Sequence, residues 1–453
     1  MGGRSTLLNG QSIVCRSHYL HYLMSPQRVR SSGSFDNHYL LPIVGHRFNS
    51  GLPPSTVSSR HFYQNEKLLE FAARPSRPVS LRQLAFFGMK LTNEKIIQSA
   101  NFVRQELPTR MAHRIHDMQS LPYSIVQNNH ISNVYELYYH SFNTIRRFPI
   151  IKTIEDNGRF CDILRELLAH HTAVIPQLVM GVIECSDLID SKRMDNFMDS
   201  MLRSRISRRV LTEQHIALTE EFLKDPNFKP AEQVGQVFFQ CSAADIVRQC
   251  ATVSRSLTQS IHQDIPIPEL VFEGDVEIKF AYVASHLRYI IGEILRNTFE
   301  ASAEHYKATG DPLSPVLVTI SDAPQHVTFR FSDSAGGIPP EIIPYLWSFA
   351  KGPRSMIRHH NFKQVPELEA IVEELEAWVA SAMGQRKRIS SLTSLTTRSP
   401  TLRLGMGLPM SKIYAEFWGG KIAVQSMEGF GCDVFLHISK LGNESRFVQM
   451  NNI

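Results

Sequence analysis

The chain has 453 residues, 43% of them hydrophobic and 20% charged, and its 48 Lys+Arg against 43 Asp+Glu leave a formal net charge of +5. That length supports two or three domains with cores of their own, and the charge is too small and too dispersed to indicate a nucleic-acid partner. No uncharged apolar stretch reaches the length of a membrane span, and six cysteines without a CxxC spacing indicate a reduced compartment rather than a disulfide scaffold or a zinc site.

The first 60 residues stand apart. They carry Arg4, Arg16, Arg28, Arg30, Arg47 and Arg60, a single acid (Asp36) and no lysine, with abundant Ser, His, Gly and Pro. An Arg-rich, acid-poor leader predicts a mitochondrial transit peptide over 1–60, processed between Arg47 and Arg60. A short helix is expected within 62–76, ending near Pro75 and Pro78. From 80 to 250, apolar residues recur at helical spacing between short polar breaks, which predicts helices at about 81–90, 93–120, 131–145, 155–184, 190–222 and 242–262. Ile163, Leu164, Leu167 and Leu168 exemplify the period. Strand-like runs are scarce there, so this half reads as a bundle of long helices.

The pattern changes at about 265. Val276-Glu277-Ile278-Lys279-Phe280 alternates like a strand, and a helix over 284–308 follows. Two further strands are expected at 315–320 and 327–333. A helix opened by Gly405-Met406-Gly407 and running to about 417 leads to a final hairpin, 421–426 and 432–438, around Glu428-Gly429-Phe430-Gly431. A mixed sheet with helices on one face is the simplest arrangement, an α+β architecture behind the helical bundle. Between the halves of this region lies 351–403. Leu368, Ile371, Val372, Leu375, Trp378, Val379 and Met383 form one stripe of an expected helix, followed by Arg386-Lys387-Arg388 and a Ser/Thr-rich arm holding Ser390 and Ser391. The stripe suits either packing on its own domain or docking of a protein.

Four features carry chemistry. Glu293 and Asn297 lie four residues apart on the 284–308 helix and so share a face. An amide oxygen can ligate magnesium while the carboxylate polarises a hydroxyl beside a γ-phosphate. Asp333 ends a strand before Ser334-Ala335-Gly336-Gly337, where a carboxylate can accept a hydrogen bond from the adenine amine and the glycines allow close backbone approach. Gly405-Met406-Gly407-Leu408 opens a helix and lacks a Lys-Ser/Thr pair, so it offers backbone amides to phosphate without being a Walker site. Gly429-Phe430-Gly431-Cys432-Asp433 makes a tight turn beneath the base site.

In this order the four features resemble the N, G1, G2 and G3 boxes of the Bergerat-type ATPases, the superfamily of Hsp90, DNA gyrase B, histidine kinases and MutL. The whole region 62–440 is similar to the mitochondrial 2-oxoacid dehydrogenase kinases, the pyruvate dehydrogenase and branched-chain kinases. The bundle carries its share in Phe102–Ala112, in Val174-Ile175-Pro176-Gln177 with Met180-Gly181-Val182, and in Ser204-Arg205-Ile206-Ser207 leading to Glu213-Gln214-His215. The resemblance implies a transit peptide at 1–60, a regulatory and docking bundle at 61–262, an ATP-binding kinase domain at 263–445 with lid and insertion at 351–403, and a tail at 446–453. It implies ATP and magnesium as cofactors, with potassium near the phosphates. Glu293 would be the general base and Asn297 the magnesium ligand. Asp333, Gly337, Gly405, Met406, Gly407, Leu408 and Cys432 would line the nucleotide site.

The implied activity is serine phosphorylation of the E1α subunit of the pyruvate dehydrogenase complex in the mitochondrial matrix, which inactivates it. Docking to the E2 lipoyl domain is implied, as is a homodimer or a heterodimer with a related kinase. Ala335, Arg403 and Cys432 depart from the box pattern, Glu300 stands where an arginine is common and Tyr289 where pyruvate-specific members often carry histidine, and the sequence to Ile453 lacks the Asp-Trp tail motif. Branched-chain specificity is the alternative, since Tyr414-Ala415-Glu416-Phe417-Trp418-Gly419-Gly420 is branched-chain-like. A nucleotide-binding regulatory subunit with little catalysis is an alternative of another class. A histidine kinase would need His286 as acceptor, and that residue is expected to be structural instead.

Overall fold

The computed structural model describes residues 66–225, 233–349, 352 and 405–441, all of which belong to one compact unit, Ser58–Ile453. The expected leader, the stripe of 368–383, the basic run 386–388, Arg403 and the tail lie outside the described residues. The chain begins with α1 (Glu66–Ala72), α2 (Leu81–Phe87), α3 (Asn93–Gln119), α4 (Tyr123–Val126), α5 (Asn129–Arg147), α6 (Ile154–His170), α7 (Val174–Glu184) and α8 (Ser191–Lys224). Local chemistry sets their starts. Ser80 and Gln83 close a capping box on α2, Thr153 and Asp156 another on α6, and Thr92 and Asp190 accept from the first turns of α3 and α8. α3 continues through Pro108. The stretch expected as one helix over 155–184 is instead two helices joined by a 3₁₀ turn, His171–Ala173. Ile154–Glu184 is long and apolar enough, by length and composition only, to cross a membrane. Its apolar side chains go into the bundle: Phe160, Leu164, Val174, Leu178 and Val179 are all buried.

The bundle core also holds charge. Arg110 lies 3.4 Å from Glu106 and hydrogen-bonds Ser207, while Arg208 meets the Tyr138 hydroxyl at 2.5 Å. A cavity there is lined by Leu107, Met111, Leu164, His171, Arg205 and Arg209.

After α8 the chain forms a small antiparallel sheet that the hydrophobic pattern does not announce. Its strands are β1 (Gln233–Val234), β2 (Val237–Ser242) and the later β4 (Lys279–Val283), in the order β1-β2-β4. The strand expected at 276–280 therefore begins at Lys279, where pairing with Ser242 of β2 starts. Helix α9 (Ala243–Ile261) packs along α10 (Ala284–Thr309). The main sheet has five strands in the order β3-β5-β6-β8-β7, from β3 (Leu270–Gly274), β5 (Val316–Asp322), β6 (His326–Asp333), β7 (Lys421–Met427) and β8 (Gly431–Ser439). β3 runs parallel to β5 and every other pair is antiparallel, so the sheet is mixed as expected.

Alternation along the strands builds one buried face. Val316, Val318 and Ile320, Val327, Phe329 and Phe331, and Val434, Leu436 and Ile438 are all buried, and their neighbours are mostly half-buried. α10 and α11 (Gly407–Phe417) pack together and contact the strands, and Leu287, Ile290, Ile294, Phe299, Met410 and Ile413 join the same core. The result is the α+β arrangement the sequence predicts: a helical region, then a mixed sheet under helices.

Candidate active site

α10 supplies the first part of the site. Its apolar positions face the core, and Glu293 lies among them, fully buried, while Asn297 one turn on is exposed. The Glu293 carboxylate accepts a hydrogen bond from the Arg296 guanidinium, three residues along the helix. The start of α11 closes over it. A Cβ placed on Gly407 would stand 2.0 Å from Glu293 Oε2, so any larger residue here would have to displace that carboxylate. The N box and the G2 segment, far apart in sequence, thus meet at one carboxylate. Gly405 has φ +67, Met406 precedes the first turn of α11 and is buried, and Leu408 is half-buried on that turn. Among the described residues no side chain caps α11, and the first amides of a helix suit an anion. The helix is anchored from behind: Glu416 is held 2.5 Å from Arg203 of α8, and Lys412 stands over the Trp347 ring.

Asp333 ends β6 opposite Cys432 of β8. Its Oδ1 accepts from the backbone N–H of Ala335 at 3.1 Å and of Cys432 at 3.3 Å, and its carboxylate also takes a hydrogen bond from the Thr298 side chain on α10. Burial pushes the Asp333 carboxyl above its ordinary value, and those three hydrogen bonds oppose the rise. The glycine turns lock into each other. Gly429 N–H donates to Gly336 O at 2.8 Å, Gly336 N–H to Phe430 O at 3.3 Å, and Ile338 N–H to the Ser426 hydroxyl at 2.7 Å. The two left-handed positions fall on Gly336 and Gly337, at φ +79 and +76, so a glycine is not required at Ala335. Cys432, half-buried, donates through sulfur to Ser426 Oγ at 3.3 Å. Its backbone amide, not its side chain, holds the aspartate.

Two partners of these residues carry no motif of their own. Arg296 and Thr298 flank Asn297 in the chain and tie the N box to Glu293 and Asp333 respectively. The i,i+3 spacing of Glu293 and Arg296 was a readable signal; the Thr298–Asp333 contact needs the fold. Glu300 lies 3.6 Å from His262 on the segment after α9. Tyr289 is buried against Tyr414 at 5.2 Å between ring centres. His286 is buried, accepts a hydrogen bond from Trp418 Nε1 at 2.9 Å and is pushed down to about 3 by burial, so it is a packed core residue rather than an accessible phosphoryl acceptor.

These residues fit a magnesium nucleotide. Asn297 offers a hard, exposed amide oxygen one turn from a carboxylate. Among the described residues no cluster of three or more His, Cys, Asp or Glu forms a protein cage for a metal. Magnesium keeps few protein ligands and takes the rest from phosphates and water, so a single amide beside phosphate-binding backbone suits it.

A mixed sheet under helices, with this carboxylate–amide pair and interlocked glycine turns, defines an ATP-binding domain of the Bergerat type, and residues 282–441 match the model of histidine kinase-, DNA gyrase B- and HSP90-like ATPases. Residues 78–238 match the family model described as mitochondrial branched-chain alpha-ketoacid dehydrogenase kinase. The chain is 34% identical over 440 residues to the mitochondrial pyruvate dehydrogenase (acetyl-transferring) kinase 2 of Saccharomyces cerevisiae, covering 88% of this chain and 89% of that protein. It is 30% identical to the corresponding mitochondrial kinase of Arabidopsis thaliana, over 81% and 91% of the two chains, and 25% identical to human isozyme 4, over 90% and 89%. The chain belongs to the mitochondrial 2-oxoacid dehydrogenase kinase family, and with it to the ATP-dependent kinases of that class located in mitochondria.

Proposed function

We propose that the chain is a protein serine kinase that uses ATP and magnesium to phosphorylate the E1α subunit of the mitochondrial pyruvate dehydrogenase complex, inactivating it. The observation that carries the reading is the convergence on α10: Glu293 inward beneath Gly407, Asn297 outward, and Thr298 holding Asp333. Asp333 would accept from the adenine amine, with Gly337 and the Gly429–Cys432 turn as the floor. The amides of Gly405–Leu408 would face the phosphates. Asn297 would hold magnesium, which when bound neutralises phosphate charge. Phosphoryl transfer needs positioned oxygens more than covalent help. Glu293 would therefore accept the proton of the incoming serine hydroxyl as its oxygen attacks the γ-phosphorus, and ADP leaves. Glu293 is fully buried beneath the start of α11, so that helix start would have to shift to admit the serine hydroxyl, and until it does water, the competing acceptor, is kept from the carboxylate.

Pyruvate specificity is supported by relatives named as pyruvate dehydrogenase kinases across yeast, plant and human. The description of the family model over 78–238 and the Tyr414–Gly420 stretch favour a second reading, a branched-chain 2-oxoacid dehydrogenase kinase. In either case we place the E2 lipoyl domain and a second kinase subunit as partners, with the bundle, 61–262, as the docking and regulatory part. Transfer of labelled phosphate from ATP to purified E1 of each complex tests this. Label in pyruvate E1 alone is expected, and label in branched-chain E1 alone selects the second reading. Label in neither, with ADP still bound, would leave a nucleotide-binding regulatory subunit.

A further inference from the structure

Arg296 has no place in the roles given so far, yet it touches the residue on which they turn. Its side chain is buried, at 9% exposure, and its Nη2 donates to Oε2 of a Glu293 side chain that is 0% exposed. The same oxygen faces Gly407, and the Cβ that Gly407 lacks would also lie 3.4 Å from Arg296 Nη2. Carboxylate, guanidinium and helix start therefore meet at one point. A carboxylate with no water around it needs a cation in contact to offset its lost hydration, and breaking such a pair by removing one partner leaves an uncompensated charge. A guanidinium also fixes direction, because its planar donors constrain the carboxylate plane in a way an ammonium does not. Asn297, the next residue, is exposed.

We propose that Arg296 is the positioning residue of the Glu293 carboxylate: it compensates the charge of the base and sets its orientation beneath Gly407, and it acts on phosphoryl transfer only through Glu293. This rests on the reading of Glu293 as the base. If Arg296 were a structural ion-pair partner alone, its loss would lower stability and nucleotide affinity whatever residue stands at 293. Action through Glu293 means that its loss matters for transfer only while the carboxylate is there.

A double-mutant cycle on the full chain separates these. Wild type, Glu293→Gln, Arg296→Met and the double variant are compared for single-turnover transfer of labelled phosphate to pyruvate dehydrogenase E1, for ADP affinity and for melting temperature. Arg296→Met should slow transfer about 10–100-fold, the usual effect of removing a group that orients a functional ligand, with ADP affinity within about twofold of wild type. The double variant should be no slower than Glu293→Gln alone. Arg296→Lys, which keeps the charge and loses the planar fork, should recover part of the rate, and it carries the test if the methionine variant does not fold. Equal slowing by Arg296→Met, or by Arg296→Lys in its place, in both backgrounds overturns the inference, as does unchanged transfer in the single variant. Full turnover by Glu293→Gln alone shows instead that the base reading has failed, and the inference falls with it.

Discussion

Two glycines with the same backbone angle and different surroundings give a calibrated test of the nucleotide floor. Gly337 has φ +76 and Gly429 has φ +79. A Cβ on Gly337 would stand 2.2 Å from Met427 O and 2.8 Å from its carbonyl carbon, whereas a Cβ on Gly429 meets nothing within 4 Å. Both alanine variants incur the left-handed cost of about 1–2 kcal/mol. Only Gly337→Ala must also push a backbone apart, an overpacking cost of about 1–3 kcal/mol. Its total is about 2–5 kcal/mol, relieved by separating the turn after β6 from the β7–β8 turn, with loss of the Ile338–Ser426 hydrogen bond. If about 1.4 kcal/mol of that is recovered only by giving up the binding arrangement, ADP affinity falls tenfold. Calorimetric titration with ADP, beside thermal melting, reads both terms. Gly337→Ala should bind at least about tenfold more weakly than Gly429→Ala. Equal affinities in the two variants would refute the idea that this backbone contact shapes the site.

Other outcomes follow from the same geometry. Asn297→Ala should weaken magnesium-dependent ADP binding by about 10–100-fold, corresponding to one charge-assisted contact of about 1.5–3 kcal/mol, and leave binding in EDTA unchanged, as titrations with and without the metal would show. Because the folded Asp333 carboxyl is raised, adenosine binding should weaken on acidification at a higher pH than an ordinary aspartate would give, and adenosine avoids titration of phosphate. Burial pushes His171 and His286 down to about 3 and His215 to about 4. A base depressed on folding contributes stability that is full above its unfolded value near 6.5 and lost as pH falls below it. Each should cost about 2 kcal/mol by pH 5. The melting temperature should therefore drop between pH 7 and pH 5, and His286→Phe, if it packs, should blunt that drop.

What was legible in the sequence was what is local or periodic. The long helices announce themselves through apolar spacing and through caps such as Ser80, Thr92 and Thr153. Glu293 and Asn297 are neighbours by helix geometry alone, and β5, β6 and β8 alternate because one face is buried. The small sheet was hidden because β1 has two residues and Val237-Phe238-Phe239-Gln240-Cys241-Ser242 does not alternate. β3 was hidden because its parallel partner begins 46 residues later and the strand is largely exposed. The 3₁₀ joint His171–Ala173 was hidden because no glycine or proline marks it. At the site, the approach of Gly407 to Glu293 and the tie from Thr298 to Asp333 join segments far apart in sequence. No spacing rule reaches them.

α10 carries an exposed amide oxygen and, one turn away, a carboxylate buried beneath the start of α11, and both would serve one metal-bound triphosphate. A crystal structure of the full chain with magnesium and a non-hydrolysable ATP analogue tests it most directly. Asn297 Oδ1 is expected on the metal, Glu293 beside the γ-phosphate and Asp333 on the adenine amine. Nucleotide density elsewhere, or those side chains turned away from it, would show that α10 does not form the catalytic face.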